Sequence, residues 1–346
     1  MTTAKAAALA AWARDLIVAW GYRPADAQFI ADTLVDANLR GVDSHGVIRL
    51  PAYARRIEHN LVKPLAHPLV TAQGATVKVD ANGAAGQIAA RDAVRELVRV
   101  SGSFGAAIAT ISGSTHFGAA GYYARLLADQ GKVAFVVSNS EPIVVPFGGK
   151  DALLGTNPLA FAAPTAGAPL SLDMATSTVA MGKIMVSLSK QEQIPADWGV
   201  DAQGNPTTDP AAVTALLPAG GPKGYGLAMI VEVLAGVLTG ASIAHDLGNM
   251  YTNFSRPQNM GHWMLAIDIE SLIPLAVFRD RMESLVGMVR ATAPRDASRP
   301  VLLPGEPEEN VSAARSVSGI PLPDDTVAEL TELGEQYAVA FPGDIK

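Results

Sequence analysis

Apolar positions divide the chain into a helical beginning and an alternating remainder. Over residues 4 to 40, Leu9, Trp12, Ala13 and Leu16 recur at helical spacing. Phe29, Leu34 and Leu39 roughly continue the pattern past a break at Gly21 to Pro24, so helix is expected on both sides of that break. Asp43 and Ser44 fit the N-cap of a further helix running through Tyr53 to Ile57, and Pro64 and Pro68 close the region.

Beyond it, Thr76 to Asp80 alternates as a strand does, Ile88 to Val100 is helix-like, and Ala106 to Ile111 is a short apolar strand. Tyr122 to Gln130 reads as a helix, and Val133 to Ser138, Leu159 to Ala163 and Leu170 to Met174 as strands. A proline-bearing loop spans Ile194 to Pro218 and is followed by an apolar helix over Gly226 to Leu238. Trp263 to Ile269 then reads as a strand and Val277 to Thr292 as a helix. Pro304 to Pro307 reads as a tight loop, and Thr326 to Tyr337 as a last helix. The expected organisation is a helical N-terminal domain over residues 1–70, joined by 310–346, and an α/β domain over 71–309.

Composition narrows the function classes. With 346 residues, 49% of them hydrophobic, the chain can bury a sizeable core. A net charge of −7 with no basic, aromatic-interleaved stripe argues against nucleic acid as a partner. The chain has no cysteine, which excludes disulfides, thiolate metal sites and a cysteine nucleophile and fits a reducing cytoplasm. Ala6 to Ala13 has the look of a short signal segment, but Arg14 and Asp15 end it, so an amphipathic helix is the better reading. No uncharged apolar run reaches the ~20 residues of a membrane span.

Two stretches carry the candidate chemistry. Gly41-Val42-Asp43-Ser44-His45-Gly46 with Arg49, and Gly113-Ser114-Thr115-His116-Phe117-Gly118, each set an imidazole between glycines, where little bulk separates the backbone from a ligand. Histidine exchanges protons near neutral pH, and arginine offers a fork for a carboxylate. Redox or proton-transfer chemistry on a small organic acid follows, unless these are ordinary turn histidines. Gly221-Pro222-Lys223-Gly224-Tyr225-Gly226 suits a phosphate, with helix-start amides and an ammonium, or is a simple turn. Ser138-Asn139-Ser140 ends the strongest strand, as ligand-contacting groups do in α/β proteins, or marks a solvated turn. Asp173 can hold a ribose hydroxyl, orient an imidazole or cap the next helix.

Other readings are weaker. There is no G-x-G-x-x-G between a strand and a helix, so a standard Rossmann unit is unsupported. Ser44 beside His45 suggests a serine hydrolase, but adjacent residues at a helix start point apart, and no G-x-S-x-G elbow is present. The six histidines are scattered, which speaks against a metal site. His59, His67 and His245 read as surface residues, and His262, beside Trp263, is open to either reading.

Taken in order, Asp43-Ser44-His45-Gly46 with Arg49, Gly155-Thr156-Asn157-Pro158-Leu159, Asp173-Met174-Ala175-Thr176 and Gly221 to Gly226 resemble the type-2 malate/L-lactate dehydrogenase family over residues 5 to 340. The resemblance implies a homodimeric, NAD(P)-dependent oxidoreductase acting on 2-hydroxy or 2-oxo acids, some members reducing cyclic imino acids. It also implies a non-Rossmann NAD(P)-binding α/β domain, which accounts for the missing glycine fingerprint. Ile194 to Trp198, Val200-Asp201, Pro206 to Pro210, Ala215 to Pro218, Val144 to Gly149 and Met250-Tyr251 are most similar to the ureidoglycolate-oxidising branch.

By that resemblance His116 is the catalytic base, with His45 as the alternative. Ser44, His45, Arg49 and Tyr53 line the substrate site. Ser140, Asp173, Met174, Ala175, Lys223, Gly305, Glu306 and Pro307 contact NAD, with NADP possible. Phe117 stands where members of that branch carry serine, and Lys183 stands where imine reducers carry an aspartate. The resemblance thus implies a ureidoglycolate dehydrogenase, with malate, L-lactate or sulfolactate as alternatives, then an imino acid.

Overall fold

The computed structural model describes residues 2–342. In chain order its elements begin with β1 (Thr2–Ala4), α1 (Ala6–Ala19), α2 (Pro24–Leu39), α3 (Leu50–Glu58), β2 (Leu69–Gln73), β3 (Thr76–Asp80) and α4 (Gly86–Phe104). There follow β4 (Ala106–Ser114), α5 (Ala120–Asp129), β5 (Lys132–Ser138), β6 (Leu159–Ala163), β7 (Leu170–Met174), α6 (Met181–Ser189), β8 (Gly199–Val200) and β9 (Ala215–Leu216). The chain ends with α7 (Pro222–Val231), β10 (Met260–Asp268), α8 (Leu275–Arg290), α9 (Glu306–Ser318), β11 (Ile320–Leu322) and α10 (Asp324–Gln336).

A seven-stranded sheet runs in the order β2-β3-β4-β10-β5-β6-β7. Only the β3–β4 pair is parallel; each other neighbouring pair in this sheet is antiparallel. That topology differs from a doubly wound parallel sheet, in keeping with the missing glycine fingerprint. In β4, Ala107, Ala109 and Ile111 face the core while the residues between them are partly exposed, the period-two pattern of a strand with one buried face. Helices α4 and α5 cover that face, packing Val94, Leu97, Tyr123 and Leu127 against it. On the opposite face, Val231 and Ala235 pack against Val137.

A second core joins the two ends of the chain. Leu9, Trp12, Leu16 and Ile17 of α1 pack with Ile30 and Leu34 of α2, and with Ile320, Leu322, Leu330 and Leu333 from the C-terminal elements. Strand β1 pairs with β11 beside it. The amphipathic reading of the first helix therefore holds, and no helix among the described residues is long and apolar enough to cross a membrane.

Four local expectations need correction. Asp43 and Ser44 do not cap α3: two short 3₁₀ turns, Asp43–His45 and Val47–Arg49, precede it. Gly46 between them is extended, and a Cβ there would lie 2.2 Å from the Asn38 side chain. The helix expected from Gly226 starts earlier, at Pro222, and continues as a π-helix over Glu232–Val237. Gly305 is a left-handed turn, but Glu306 and Pro307 belong to the first turn of α9. The loop from Ile194 to Pro218 contains the small β8–β9 ladder. Elements β2, α6 and α9 bury little (a single residue, Ile184, in α6; none in α9), so an apolar stripe is not there to be read.

Candidate active site

The first histidine turn is fixed from α2. Asn38 Oδ1 accepts the Val47 N–H at 2.9 Å, and its Nδ2 donates to Asp43 at 2.7 Å. Arg315 of α9 grips the same Asp43 carboxylate through both terminal nitrogens, at 2.7 and 3.0 Å. The second turn follows β4. There the Thr115 hydroxyl accepts the Gly86 N–H at 3.0 Å, tying the turn to the start of α4. Together these contacts bring the two rings together, with His45 and His116 centroids 5.3 Å apart and planes tilted by 31°.

Tyr53 of α3 completes the group. Its hydroxyl lies 2.7 Å from His116 Nδ1, and Gln87 Nε2 donates to that hydroxyl at 3.0 Å. Arg49 donates from Nε to the Ser44 carbonyl at 2.5 Å, and its guanidinium sits 5.5 Å over the Tyr251 ring. Burial, and then the Arg49 charge, pulls His45 down to about 3. Burial, followed by Arg49, His45 and His262, holds His116 far below the usual range. Both rings are therefore neutral near pH 7, the state in which an imidazole can exchange a proton with a substrate.

Ser44 and His45 do not point apart, because the 3₁₀ turn brings the Ser44 hydroxyl within 2.9 Å of His45 Nδ1. The argument from a helix start fails with the helix. His59, His67 and His245 are exposed. His262 is fully buried between the Ser138 and Ser114 hydroxyls, each at 2.8 Å. Lys183 is exposed on α6. Among the described residues no group of three or more His, Asp or Glu is arranged to hold a metal ion.

The remaining candidates gather around β7. The Ser171 N–H donates to the Pro304 carbonyl at 3.1 Å, placing Gly305 beside this strand. Asp173 accepts the Gly121 N–H at 2.8 Å, so it caps α5 from across the sheet and not the helix after it. Burial pushes Asp173 up to about 6. Thr176 donates to the Thr156 carbonyl at 2.8 Å and accepts from Ala219 at 2.9 Å. The Thr156 hydroxyl is in turn 3.3 Å from that of Ser140. Hydrogen bonds thus link Ser140 through Thr156 and Thr176 to Ala219, in the turn before Lys223. The helix-start seat at Lys223 is poorer in amides than expected. Pro222 has no N–H, and the Gly224 N–H is bonded to Ala219 at 2.8 Å, which leaves the exposed Lys223 ammonium as its chief charge.

Several residues of this region carry little sequence signal. Arg56 is 1% exposed and donates to the carbonyls of Asn249, Asn253 and Arg256 at 2.9, 3.4 and 3.1 Å. Glu141 binds the Met250 N–H and, at 3.0 Å, Asn249 Nδ2. Together they hold the segment that brings Tyr251 to Arg49. Buried Glu232 accepts from Asn157 at 2.8 Å, and Asn157 itself has a left-handed φ of 36°. Its setting before Pro158 was the one available hint, since asparagine tolerates that region.

With this geometry in view, comparison with known proteins decides the family. A family model described as malate/L-lactate dehydrogenase matches residues 4–331. The chain belongs to the malate/L-lactate dehydrogenase family. It is 36% identical over 307 residues to a ureidoglycolate dehydrogenase (NAD(+)) of Escherichia coli O157:H7, covering 88% of each chain. It is 34% identical over 325 residues to a malate dehydrogenase of Pyrococcus abyssi, covering 91% of this chain and 89% of that one. The sulfolactate dehydrogenase structure from Methanocaldococcus jannaschii superposes with a TM-score of 0.92 at 31% identity, over 99% of this chain and 98% of that chain. The chain is thus a dehydrogenase acting on the CH–OH group of a 2-hydroxy acid, and the family implies a nicotinamide cofactor.

Proposed function

We propose that this dehydrogenase oxidises ureidoglycolate to oxalurate with NAD. The observation that carries the substrate is the charge balance around His116. Arg49 is the guanidinium at the site, whereas Arg56 is committed to three backbone carbonyls and Glu141 adds a nearby carboxylate. One cation suits a monoanion with a neutral polar tail. Malate and sulfolactate each bring a second anion, which would be left without a partner.

In this reading Arg49 grips the substrate carboxylate and turns the carbinol C–H toward the nicotinamide ring. Tyr53 and Ser44 line the same space. His116 takes up the hydroxyl proton, and His45 is the second candidate, at 5.3 Å between ring centroids. Bound NAD supplies the hydride acceptor. In this reading the Asp173 carboxylate would accept from ribose hydroxyls, Lys223 would meet a phosphate, and Ser140, Met174, Ala175, Gly305, Glu306 and Pro307 would make further contacts with that cofactor.

NAD is favoured over NADP by the same electrostatics. A cleft of about 400 Å³, open to solvent, is lined by Asp36, Arg40, Arg125, Asp173 and Glu308. Both arginines are already paired, Arg125 with Asp36 and Arg40 with Asp36 and Glu309 at 3.2 and 3.0 Å. Carboxylates therefore outnumber cations, which suits a hydroxyl and opposes an added phosphate. The reading extends to a cytoplasmic homodimer, supported by exposed Ile230, Val233, Val237 and Leu238 along the helix after Lys223.

The test is absorbance at the reduced-nicotinamide band, with NAD⁺ or NADP⁺, across ureidoglycolate, malate, lactate and sulfolactate. Fastest turnover of ureidoglycolate with NAD⁺ is expected. A better rate with another hydroxy acid overturns the substrate and keeps the chemistry. Silence across the panel, with NADH still bound, turns the search to an untested hydroxy acid or an imine.

A further inference from the structure

Two hydrogen-bond donors converge on one nitrogen of the central histidine. The Gly118 main-chain N–H donates to His116 Nδ1 at 3.3 Å, and the Tyr53 hydroxyl lies 2.7 Å from the same atom. A backbone amide can only donate, so this long contact favours an unprotonated nitrogen, and the shorter Tyr53 bond is the stronger of the two. Gly118 reaches this position in a turn with φ of 86°, a left-handed conformation that glycine adopts freely. The Tyr53 oxygen in turn receives the Gln87 side-chain amide at 3.0 Å, which directs its own hydrogen toward the ring. The charged and titratable groups acting on His116 from its surroundings are Arg49, His45 and His262, besides Tyr53.

From this convergence we infer that Tyr53, set by Gln87, is the positioning residue that holds His116 as its Nε2–H tautomer and passes protons to and from the ring at Nδ1. The inference rests on the dehydrogenase reading above and specifies how that site handles its proton. With Nε2–H turned to the substrate, His116 is a hydrogen-bond donor to the substrate oxygen.

In the reduction direction a bound reduced nicotinamide would supply hydride to the substrate carbonyl carbon, whose π pair would move onto oxygen. That oxygen takes the Nε2 proton, and the N–H bonding pair stays on the ring. The ring takes the Tyr53 proton at Nδ1, leaving a transient phenolate that burial disfavours and that Arg49 and the Gln87 amide partly offset. Oxidation is the reverse. The hydroxyl proton goes to Nε2 as the Nδ1 proton returns to Tyr53, and a bound oxidised nicotinamide would accept the hydride. After reduction a solvent proton adds at Nε2 as the Nδ1 proton returns to Tyr53, and before oxidation one leaves by the reverse path.

The tautomer can be read without any turnover, by ¹⁵N NMR of histidine-labelled protein, with His116 identified by its loss in His116→Gln. The expected spectrum has Nδ1 unprotonated and Nε2 carrying hydrogen. In Tyr53→Phe the ring becomes a mixture of tautomers, and kcat falls about 10- to 100-fold in both directions while KM stays within about twofold. Gln87→Glu reverses the chain. The new carboxylate accepts the Tyr53 hydrogen, the phenolic oxygen then faces Nδ1 as an acceptor, and the proton moves to Nδ1. A wild-type His116 protonated at Nδ1 overturns the inference, and so does a Tyr53→Phe enzyme with unchanged kcat. Should no hydroxy acid turn over, the functional reading falls while the wild-type spectrum still decides the tautomer.

Discussion

The Phe117 ring lies flat on the imidazole of His262, centroids 4.0 Å apart and planes within 5°. His262 sits on β10 between β4 and β5, opposite Ser138 in the β5 register. Both ring nitrogens are spent on serine hydroxyls. Phe117 directly follows His116, so the stack anchors the turn that carries the central histidine to the middle of the sheet.

That burial makes His262 a source of acid lability. Its folded-state value is pulled down to about 3 by burial, below an unfolded value near ~6.5. The folded state therefore binds fewer protons across this window, and stability present above it is lost as pH falls. Between about pH 7.5 and 5 the wild type should lose about 2 kcal/mol more than His262→Gln. Urea unfolding at the two pH values measures the difference, and equal losses would remove His262 as the cause.

His116→Gln is expected to lose turnover by about 10²- to 10⁴-fold while still binding NADH. Steady-state rates and NADH fluorescence separate the two effects. Near-normal turnover would move the proton-transfer role to His45.

Arg49→Lys keeps the charge but not the fork, so it should act chiefly on substrate binding. KM is expected to rise about tenfold or more, with a smaller change in kcat. A pure kcat loss would assign Arg49 to the chemical step.

Arg56→Met removes the donor to three backbone carbonyls and should cost about 3 kcal/mol of stability. In the folded fraction, loosening of residues 249–256 should raise KM through Tyr251. Thermal unfolding together with kinetics below the transition tests both, and an unchanged melting temperature would refute the anchoring role.

Asp36→Asn should release Arg125, leave Arg40 with Glu309 alone, and narrow the preference for NAD over NADP. The expected change is about tenfold in the ratio of kcat/KM values. A wild type that already prefers NADP would refute the electrostatic account.

The histidine turns and the regular elements were legible because each is a local signal. Leu170 to Met174 alternates tightly enough that its strand begins and ends where the pattern does. The break at Gly21 to Pro24 separates two helices for the same reason. Where burial is slight, as in β2 and α9, the chain has no stripe to betray the element. At Asp43 and Ser44 a cap-like pattern misled, because Asn38 and Arg315 claim that segment from other elements.

Alone, the sequence determined the α/β class, two histidines each set between glycines, an arginine four residues after one of them, and an order of motifs that a single family shares. Those follow from residue types and short spacings, which need no distant partner. Only the tertiary structure decided that His45, Tyr53 and His116 meet, since Tyr53 and His116 are 63 residues apart in the chain. It also decided that Asp173 caps α5, that His262 is a buried hydrogen-bonded ring, and that Arg56 braces the segment over Arg49. Each depends on which side chains the sheet and its helices bring within about 3 Å, and hydrogen bonds form only at that range.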